Sequence, residues 1–243
     1  MKLMNALISR RSIRQFENTP VSKNKIDEVI KAALLSPSNA NVQPYRLAVA
    51  TGDLRDKLQE DLSSKFIAAN QIKNTKMPKK LWRAAFSKDL PDGDFNPNIK
   101  YPKELMKRKY ECGYGLYDCL KIKRDAHLAR DRQMQRNFEF FGAPVVVFVF
   151  CHGDLGVYSA LDTGIFVQSL MLAATAQGLG TCPQAALAMW KSPIENTFIV
   201  EDGYKLICGI SMGYPSKHPV NSYQPQKRNM DEVLLKLTPK PMS

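Results

Sequence analysis

The sequence predicts a fold in which α-helices pack against buried β-strands. Residues 143–151 are a short run of β-branched and other apolar residues with hydrophobic side chains on both faces, as expected of a strand inside a sheet. Residues 205–213 have the same character. Between these two strands, residues 158–179 are apolar on nearly all sides, a pattern typical of a helix at the centre of a fold.

The other elements are predicted from spacing and capping residues. Leu3, Ala6 and Leu7 recur at helical spacing and predict a short helix over residues 2–9. A second helix begins after the N-cap Ser22 and ends before Pro37, because proline disfavours the helical conformation in the residue before it. The remaining predictions are a strand at 47–51, helices at 53–72 and within 104–136, a loop at 181–186 and a short apolar strand at 233–237.

Residues 75 to about 104 interrupt the regular pattern with several prolines among charged and aromatic residues. We therefore expect an excursion at about 75–136 that packs over the core. Two interpretations of this excursion stay open. It covers the functional site, or it is an insertion that only covers protein surface.

The net charge is +12, and it is concentrated in one segment. Residues 76–136 contain 16 lysines and arginines and 8 acidic residues, a net charge of +8. Because the acidic residues are interspersed, this segment favours a solvated face or an entrance that attracts anions over a nucleic-acid partner. We expect no nucleic-acid partner.

The cysteines predict a reducing compartment. Five are present and none forms a CxxC pair, so we expect free thiols. No two of the three histidines have metal-ligand spacing, so no metal site is predicted. The first residues lack the pattern of a secretory signal, and no uninterrupted apolar run reaches about 18 residues. We therefore expect a cytoplasmic protein without a membrane span.

The first candidate binding group is a cluster of arginines near the amino terminus. Arg10, Arg11, Ser12 and Arg14 lie within five residues. A guanidinium group can give two parallel hydrogen bonds to a phosphate, so this cluster indicates a bound dianion. The alternative is a solvated helix end whose arginines serve surface ion pairs.

The second candidate group is a polar loop between two prolines, at residues 37–44. It offers several hydrogen-bond donors and acceptors next to a predicted strand, where binding groups are commonly held. Its residues of interest are Pro37, Ser38, Asn39, Asn41 and Gln43. Asparagine and serine also suit ordinary turns, and this explanation stays open.

The standard catalytic motifs are absent. Gly178 and Gly180 resemble the start of a dinucleotide-binding fingerprint, but Pro183 follows where the third glycine should be. There is neither a phosphate-binding P-loop nor a GxSxG nucleophile motif. A chain that offers binding groups and no evident catalytic side chain is typical of an enzyme whose cofactor performs the chemistry.

Four motifs, in order, resemble the signature of the FMN-dependent nitroreductase family. They are RRSIRQF at 10–16, SPSNANVQPY at 36–45, GLGTCPQA at 178–185 and GISMGYP at 209–215. Residues 137–144 and the basic segment before them resemble the branch that reduces nitrobenzoates and related nitroaromatics. The resemblance implies one domain over residues 1–243 with an α+β sandwich, a mainly antiparallel sheet flanked by helices. It also implies a homodimer with the long central helix at its interface, and FMN sites built from both subunits.

The resemblance also assigns residues to FMN. The phosphate group would be held by Arg10, Ser12 and Arg14, with Arg11 flanking them and either Lys227 or Arg228 reaching the same group. The edge of the flavin would meet the loop of the other subunit, with Pro37, Ser38, Asn39, Asn41 and Gln43. Flavin N5 would face the backbone of Pro183, Gln184 and Ala185.

The function implied is a ping-pong transfer of two electrons from NADH or NADPH, through FMN, to a nitroaromatic or quinone acceptor. No catalytic side chain and no metal are implied. Three alternatives stay open: reductive dehalogenation, destruction of flavin on the same fold, and a flavin-binding module without turnover.

Overall fold

The computed structural model describes residues 2–73, 89–96 and 99–235, which form a mixed helical and antiparallel-sheet structure. The helices within these ranges are α1 (Leu3–Ser9), α2 (Lys23–Ala33), α3 (Gly52–Lys73), α4 (Lys103–Cys119), α5 (His127–Gln135), α6 (Gly156–Ala176) and α7 (Ser192–Glu195). The strands are β1 (Tyr45–Thr51), β2 (Val145–His152), β3 (Gly180–Gln184) and β4 (Tyr204–Gly213).

The four described strands form one sheet with the order β1-β2-β4-β3, and every neighbouring pair is antiparallel. The predicted α+β fold with a mainly antiparallel sheet is therefore confirmed. The central strand β2 is buried over seven of its eight residues, which explains why its sequence is apolar on both faces.

Alternate residues of β2 enter two hydrophobic clusters. Val146, Phe148 and Phe150 belong to the cluster that includes residues of α3. Val145, Val147 and Val149 belong to the cluster that includes residues of α2 and α6. Burying one such side chain contributes about 1.5–3 kcal/mol, so the burial of these six side chains stabilises the sheet.

Helix α6 matches the predicted central helix. It buries seven residues, of which Phe166, Leu170 and Ala174 belong to the second cluster. By length and composition alone, Gly153–Ala176 is the one helix in the described ranges that could cross a membrane, a property that core helices share. Its buried residues include Asp162, whose carboxylate accepts a hydrogen bond from a backbone N–H of the loop before β1.

The predicted helices and the strands at 47–51, 143–151 and 205–213 are confirmed with small shifts at their ends. The side chain of Ser22 caps α2 as predicted, accepting from the backbone N–H of Lys25 at 3.4 Å. The helical segment within 104–136 is divided into α4 and α5.

Two predictions about local structure are wrong. Residues 181–186 are not a loop, because residues up to Gln184 form β3 and Ala185–Ala188 form a 3₁₀ helix. Pro183 is tolerated in β3 because β3 is an edge strand of the described sheet. At an edge, the missing N–H of a proline can face away from the neighbouring strand, so no hydrogen bond between strands is lost. The predicted strand at 233–237 is absent from residues 233–235, and its last two residues lie outside the described ranges.

The described part of the excursion at 89–96 is attached to the core by several hydrogen bonds. The backbone N–H of Gly93 donates to the carbonyl of Met189 at 3.0 Å. The carboxylate of Asp94 accepts from the Lys191 ammonium at 3.0 Å and from the Leu206 N–H at 2.9 Å. These contacts fix the end of the excursion that precedes α4.

We predict that Gly93→Ala destabilises the protein by about 3 kcal/mol, because overpacking forces neighbouring groups to move. A Cβ at this position would lie 2.0 Å from the carbonyl oxygen of Ala188. The matched control is Gly113→Ala in α4, where no heavy atom lies within 4 Å of the added carbon. The control should stabilise the protein by about 0.5–1 kcal/mol, since glycine is unfavourable inside a helix. Equal unfolding free energies for the two variants in urea titrations would contradict this packing.

Candidate cofactor site

The arginine cluster lies on a segment that runs beside the sheet. We call residues 10–17 the N-terminal segment. Ser12 forms a parallel bridge with Thr181 of β3, and Phe16 forms an antiparallel bridge with Pro215, just after β4. Ile13 and Phe16 are both 5% exposed, so the apolar side chains of the segment anchor it while its polar side chains remain accessible.

Asn221 fixes the backbone of this segment. Its Oδ1 accepts hydrogen bonds from the N–H of Arg14 at 2.8 Å and of Gln15 at 3.2 Å. Its Nδ2 donates to the carbonyls of Gln15 at 2.7 Å and of Ser216 at 2.9 Å. This role of Asn221 was not predicted from the sequence, because an asparagine between a proline and a tyrosine resembles an ordinary turn residue.

Gly180 permits the segment to approach β3 closely. A Cβ at this position would lie 2.5 Å from Cγ1 of Ile13. The absence of a side chain at Gly180 therefore provides the space in which the N-terminal segment docks.

A cavity of about 350 Å³, which we call the cationic cavity, lies against the N-terminal segment. Its charged and hydroxyl lining residues are Arg10, Arg11, Ser12, Arg14, Tyr223 and Lys227. None of the described residues that line it is acidic. Four positive charges with no neutralising carboxylate favour an anionic ligand.

The described residues provide no ion-pair partner for Arg10, Arg11, Arg14 or Lys227. Arg11 donates from Nε to the carbonyl of Ser9, and Arg14 donates from Nη1 to the carbonyl of Ser12, both at 3.3 Å. Since a guanidinium has five N–H donors, most of this donor capacity is left for a ligand.

Lys227 reaches the cavity and Arg228 does not line it. The segment before Lys227 is held by α4: Tyr223 donates from its hydroxyl to the carbonyl of Cys112 at 2.7 Å, and Arg108 donates to the carbonyl of Gln226 at 3.0 Å. Cys112 also lines the cavity. Burial, and secondarily the neighbouring Cys112, raise the pKa of Tyr223, so its phenol remains a neutral donor.

The group predicted at Pro183, Gln184 and Ala185 lies in and just after β3. Pro183 and Ala185 are exposed, whereas Gln184 is only 3% exposed. The side chain of Gln184 is directed into the interior, where it donates from Nε2 to the carbonyl of Asn137 at 2.8 Å and accepts from the hydroxyl of Ser211. A ligand can therefore meet only the backbone of Gln184 and its exposed neighbours.

Cys182 of β3 lies close enough to the arginine cluster for Arg14 and Ser12 to affect its pKa. Its pKa is raised to about 11 by burial, while the charge of Arg14 and the hydroxyl of Ser12 act in the opposite direction. The N-terminal segment and the β3 segment, both predicted to bind the cofactor, therefore lie side by side in one chain. Lys227 lines the cationic cavity together with the N-terminal segment.

The second candidate group of the sequence analysis, the loop at 37–44, does not line the cationic cavity of the same chain. The N–H of Asn39 donates to the carboxylate of Asp162 at 3.0 Å, in the first half of α6. Thr175, near the end of α6, lines a neighbouring cavity together with Arg10 and Arg11. At 1.5 Å per residue these two positions on α6 are about 20 Å apart.

The loop is internally ordered and conformationally unusual. The N–H of Gln43 donates to the hydroxyl of Ser38 at 2.9 Å, and the side chain of Gln43 donates to that of Asn41 at 3.1 Å. Ala40, Asn41 and Gln43 have φ angles of 46°, 56° and 46°. Such positive φ values in residues other than glycine are costly and are often retained at ligand-binding positions.

Comparisons with known proteins identify a family and solved structures of the same shape. The model of the nitroreductase family matches residues 7–214. A 4-nitrobenzoate reductase of Pseudomonas putida is 35% identical over 223 residues, which cover 88% of this chain and 86% of the relative.

Two solved structures cover nearly all of both chains. An FMN and NADPH-dependent nitroreductase NfnB of Sphingopyxis sp. strain HMH has a TM-score of 0.84 and 26% identity, covering 98% of this chain and 100% of its own. The FMN-dependent nitroreductase NfnB of Mycobacterium smegmatis, solved with NADPH, has a TM-score of 0.81 and 29% identity, covering 97% and 98%.

We predict that Asn221→Ala lowers the free energy of unfolding by about 2–3 kcal/mol, because it leaves four partly buried backbone groups without their side-chain partner. It should also increase amide hydrogen exchange at Arg14 and Gln15, because the N–H groups of both residues donate hydrogen bonds to Oδ1 of Asn221. Asn24→Ala, at an exposed position of α2, is the control and should change stability by less than about 0.5 kcal/mol. Unchanged exchange at Arg14 and Gln15 in the first variant would contradict the role assigned to Asn221.

Proposed function

The chain belongs to the nitroreductase family, and we propose that it is an FMN-dependent oxidoreductase that passes two electrons from NADH or NADPH to nitroaromatic or quinone acceptors. The observation that carries this proposal is the cationic cavity, which gathers Arg10, Ser12, Arg14 and Lys227 around a space of phosphate-binding character. The nitrobenzoate reductase of Pseudomonas putida supports the acceptor class, and the two NfnB structures support the cofactor and the electron donor.

The chemistry of the lining residues fits the phosphate group of FMN. A phosphate monoester is a dianion near neutral pH, and arginine side chains can bind its oxygens with paired hydrogen bonds. Lys227 adds a point charge from the carboxyl-terminal segment. We assign Lys227, rather than Arg228, to the phosphate, and Arg11 to a flanking position on the same cavity.

The β3 segment would support the flavin ring. Pro183 and Ala185 present an exposed apolar surface beside the N-terminal segment. Since Pro183 has no N–H, a backbone hydrogen bond to the ring would come from Gln184 or Ala185. Gln184 ends β3 and Ala185 begins the 3₁₀ helix that follows it, so both donors belong to regular structure and their positions do not need to reorganise during the reaction.

When bound, FMN supplies the two-electron chemistry, and the protein supplies binding and orientation. No side chain is assigned as a general base, because solvent can deliver the required protons. We infer that donor and acceptor occupy one pocket in turn, which makes the kinetics ping-pong.

We propose that the site is completed by a second copy of the chain. The loop at 37–44 lies about 20 Å along α6 from the cationic cavity, so the loop of a partner is better placed to contribute Pro37, Ser38, Asn39, Asn41 and Gln43. Large apolar side chains are exposed on α1 and α6, as expected of a helical dimer interface. They are Leu3, Met4, Leu7 and Ile8 on α1 and Val157, Tyr158 and Leu161 on α6.

We further propose that the excursion at about 75–136 covers the site within a single domain. Its helix α4 contributes Cys112 to the lining of the cationic cavity, and its positive charge would attract anionic acceptors such as nitrobenzoates. All five cysteines are free, which supports a cytoplasmic location.

The function is tested by mixing FMN-loaded protein with NADPH in the absence of oxygen. We expect the visible flavin absorption to bleach and to return when 4-nitrobenzoate is added. Steady-state rates at several acceptor concentrations should give parallel reciprocal plots, as ping-pong kinetics requires. A protein that binds FMN and is not reduced by NADPH or NADH would contradict the proposed activity.

The phosphate assignment is tested by a matched pair of neighbouring substitutions. Lys227→Ala should raise the dissociation constant for FMN about tenfold, because a hydrogen bond to a charged group contributes about 1.5–3 kcal/mol. Arg228→Ala removes the same charge one residue away and should change the constant less than about threefold. Flavin fluorescence titrations measure both constants. A larger effect for Arg228→Ala would reverse the assignment.

A further inference from the structure

The turn at residues 136–142, near the candidate site, has an unusual backbone conformation. Phe140, Phe141 and Gly142 have consecutive positive φ angles of 52°, 54° and 80°. Such a backbone is costly for residues other than glycine, and it persists only where the surroundings determine it. Here Phe140 is 0% exposed and Phe141 is 2% exposed, so the core holds the turn in this conformation.

The turn begins with a hydrogen bond to the N-terminal segment. Arg136 donates from Nη2 to Oε1 of Gln15 at 2.8 Å and from Nη1 to the carboxylate of Glu139 at 3.1 Å. The side chain of Arg136 is 24% exposed. Gln15 follows Arg14 directly, and Asn221 binds its backbone. Arg136 is therefore connected to the segment that carries the phosphate-binding arginines.

The next residue of the turn is connected to β3. The carbonyl of Asn137 accepts from Nε2 of Gln184 at 2.8 Å, and the same nitrogen lies 3.4 Å from Oδ1 of Asn137. The other end of the Gln184 amide accepts from the buried hydroxyl of Ser211 in β4. Two consecutive residues thus bind the two segments that the proposed function assigns to the phosphate and to the ring of one ligand.

We propose that Arg136 and Asn137 are positioning residues that set the distance between the cationic cavity and the exposed edge of β3. This inference rests on the proposed function, since it requires a ligand that spans both segments. It also assigns a role to the end of the basic excursion: Arg136 acts through Gln15, not as a direct ligand of the acceptor.

The inference predicts a defect specific to a ligand that engages both segments. Arg136→Met should raise the dissociation constant for FMN about tenfold, through loss of a charged hydrogen bond that orients Gln15. It should change the dissociation constant for riboflavin, which lacks the phosphate, less than about threefold. A variant that only loosens the fold would weaken both ligands alike. Flavin fluorescence titrations give both constants.

The control is Arg132→Met. Arg132 forms an ion pair with Glu139, as Arg136 does, but its side chain is 59% exposed and it has no hydrogen bond to Gln15 in the described structure. We expect this variant to bind FMN like the wild type. Gln15→Met removes the acceptor of Arg136, and the double variant with Arg136→Met should bind FMN no more weakly than either single variant.

The outcomes separate this inference from the proposed function. If the wild-type protein does not bind FMN, both fail. If the wild type binds FMN, two results overturn the positioning role alone. One is an equal dissociation constant for FMN in Arg136→Met and Arg132→Met. The other is an equal loss of affinity for FMN and riboflavin in Arg136→Met. If Arg136→Met does not fold, Gln15→Met tests the same contact by the same two titrations. A dissociation constant for FMN in Gln15→Met equal to that of the wild-type protein overturns the inference.

Discussion

The docking of the N-terminal segment beside β3 is the interaction on which the candidate site depends. Four positive side chains around one cavity repel one another, and flexible chain ends would separate them. The segment is held instead by backbone bridges at Ser12 and Phe16, by the side-chain amide of Asn221 and by the close approach that Gly180 allows. The positive potential of the cavity is therefore maintained by the fold, and an anion that binds there relieves the repulsion.

The sheet determines what this docking can reach. Because both faces of β2 are covered, its neighbour β4 has a fixed position, and β4 in turn places β3. The N-terminal segment and the exposed residues Pro183 and Ala185 thus share one edge of the fold. The 37–44 loop does not share this edge, because it contacts the first half of α6, whereas the N-terminal segment lies near the end of that helix. A second chain that covered the exposed apolar side chains of α6 would explain why the sequence of this helix has no polar face.

Strong local patterns made much of this structure predictable. The apolar strands, the amphipathic helices and the Ser22 cap were all evident from spacing. Strand β3 was missed because Pro183 normally indicates a turn, and only its position at the end of the sheet makes it acceptable. Asn221 and Arg136 were missed because each acts on a segment more than a hundred residues away. No local pattern distinguishes Lys227 from Arg228, since the choice depends on how Tyr223 and Arg108 fix the chain before them.

The account is tested most directly by comparing the affinity of the wild-type protein for FMN and for riboflavin, which differ only in the phosphate group. If the cationic cavity holds that phosphate, FMN should bind at least about 100-fold more tightly, as expected for several charge-assisted hydrogen bonds. The difference should shrink as ionic strength rises, because salt screens the attraction. Equal affinities at low salt would contradict the assignment of Arg10, Ser12, Arg14 and Lys227 to the cofactor.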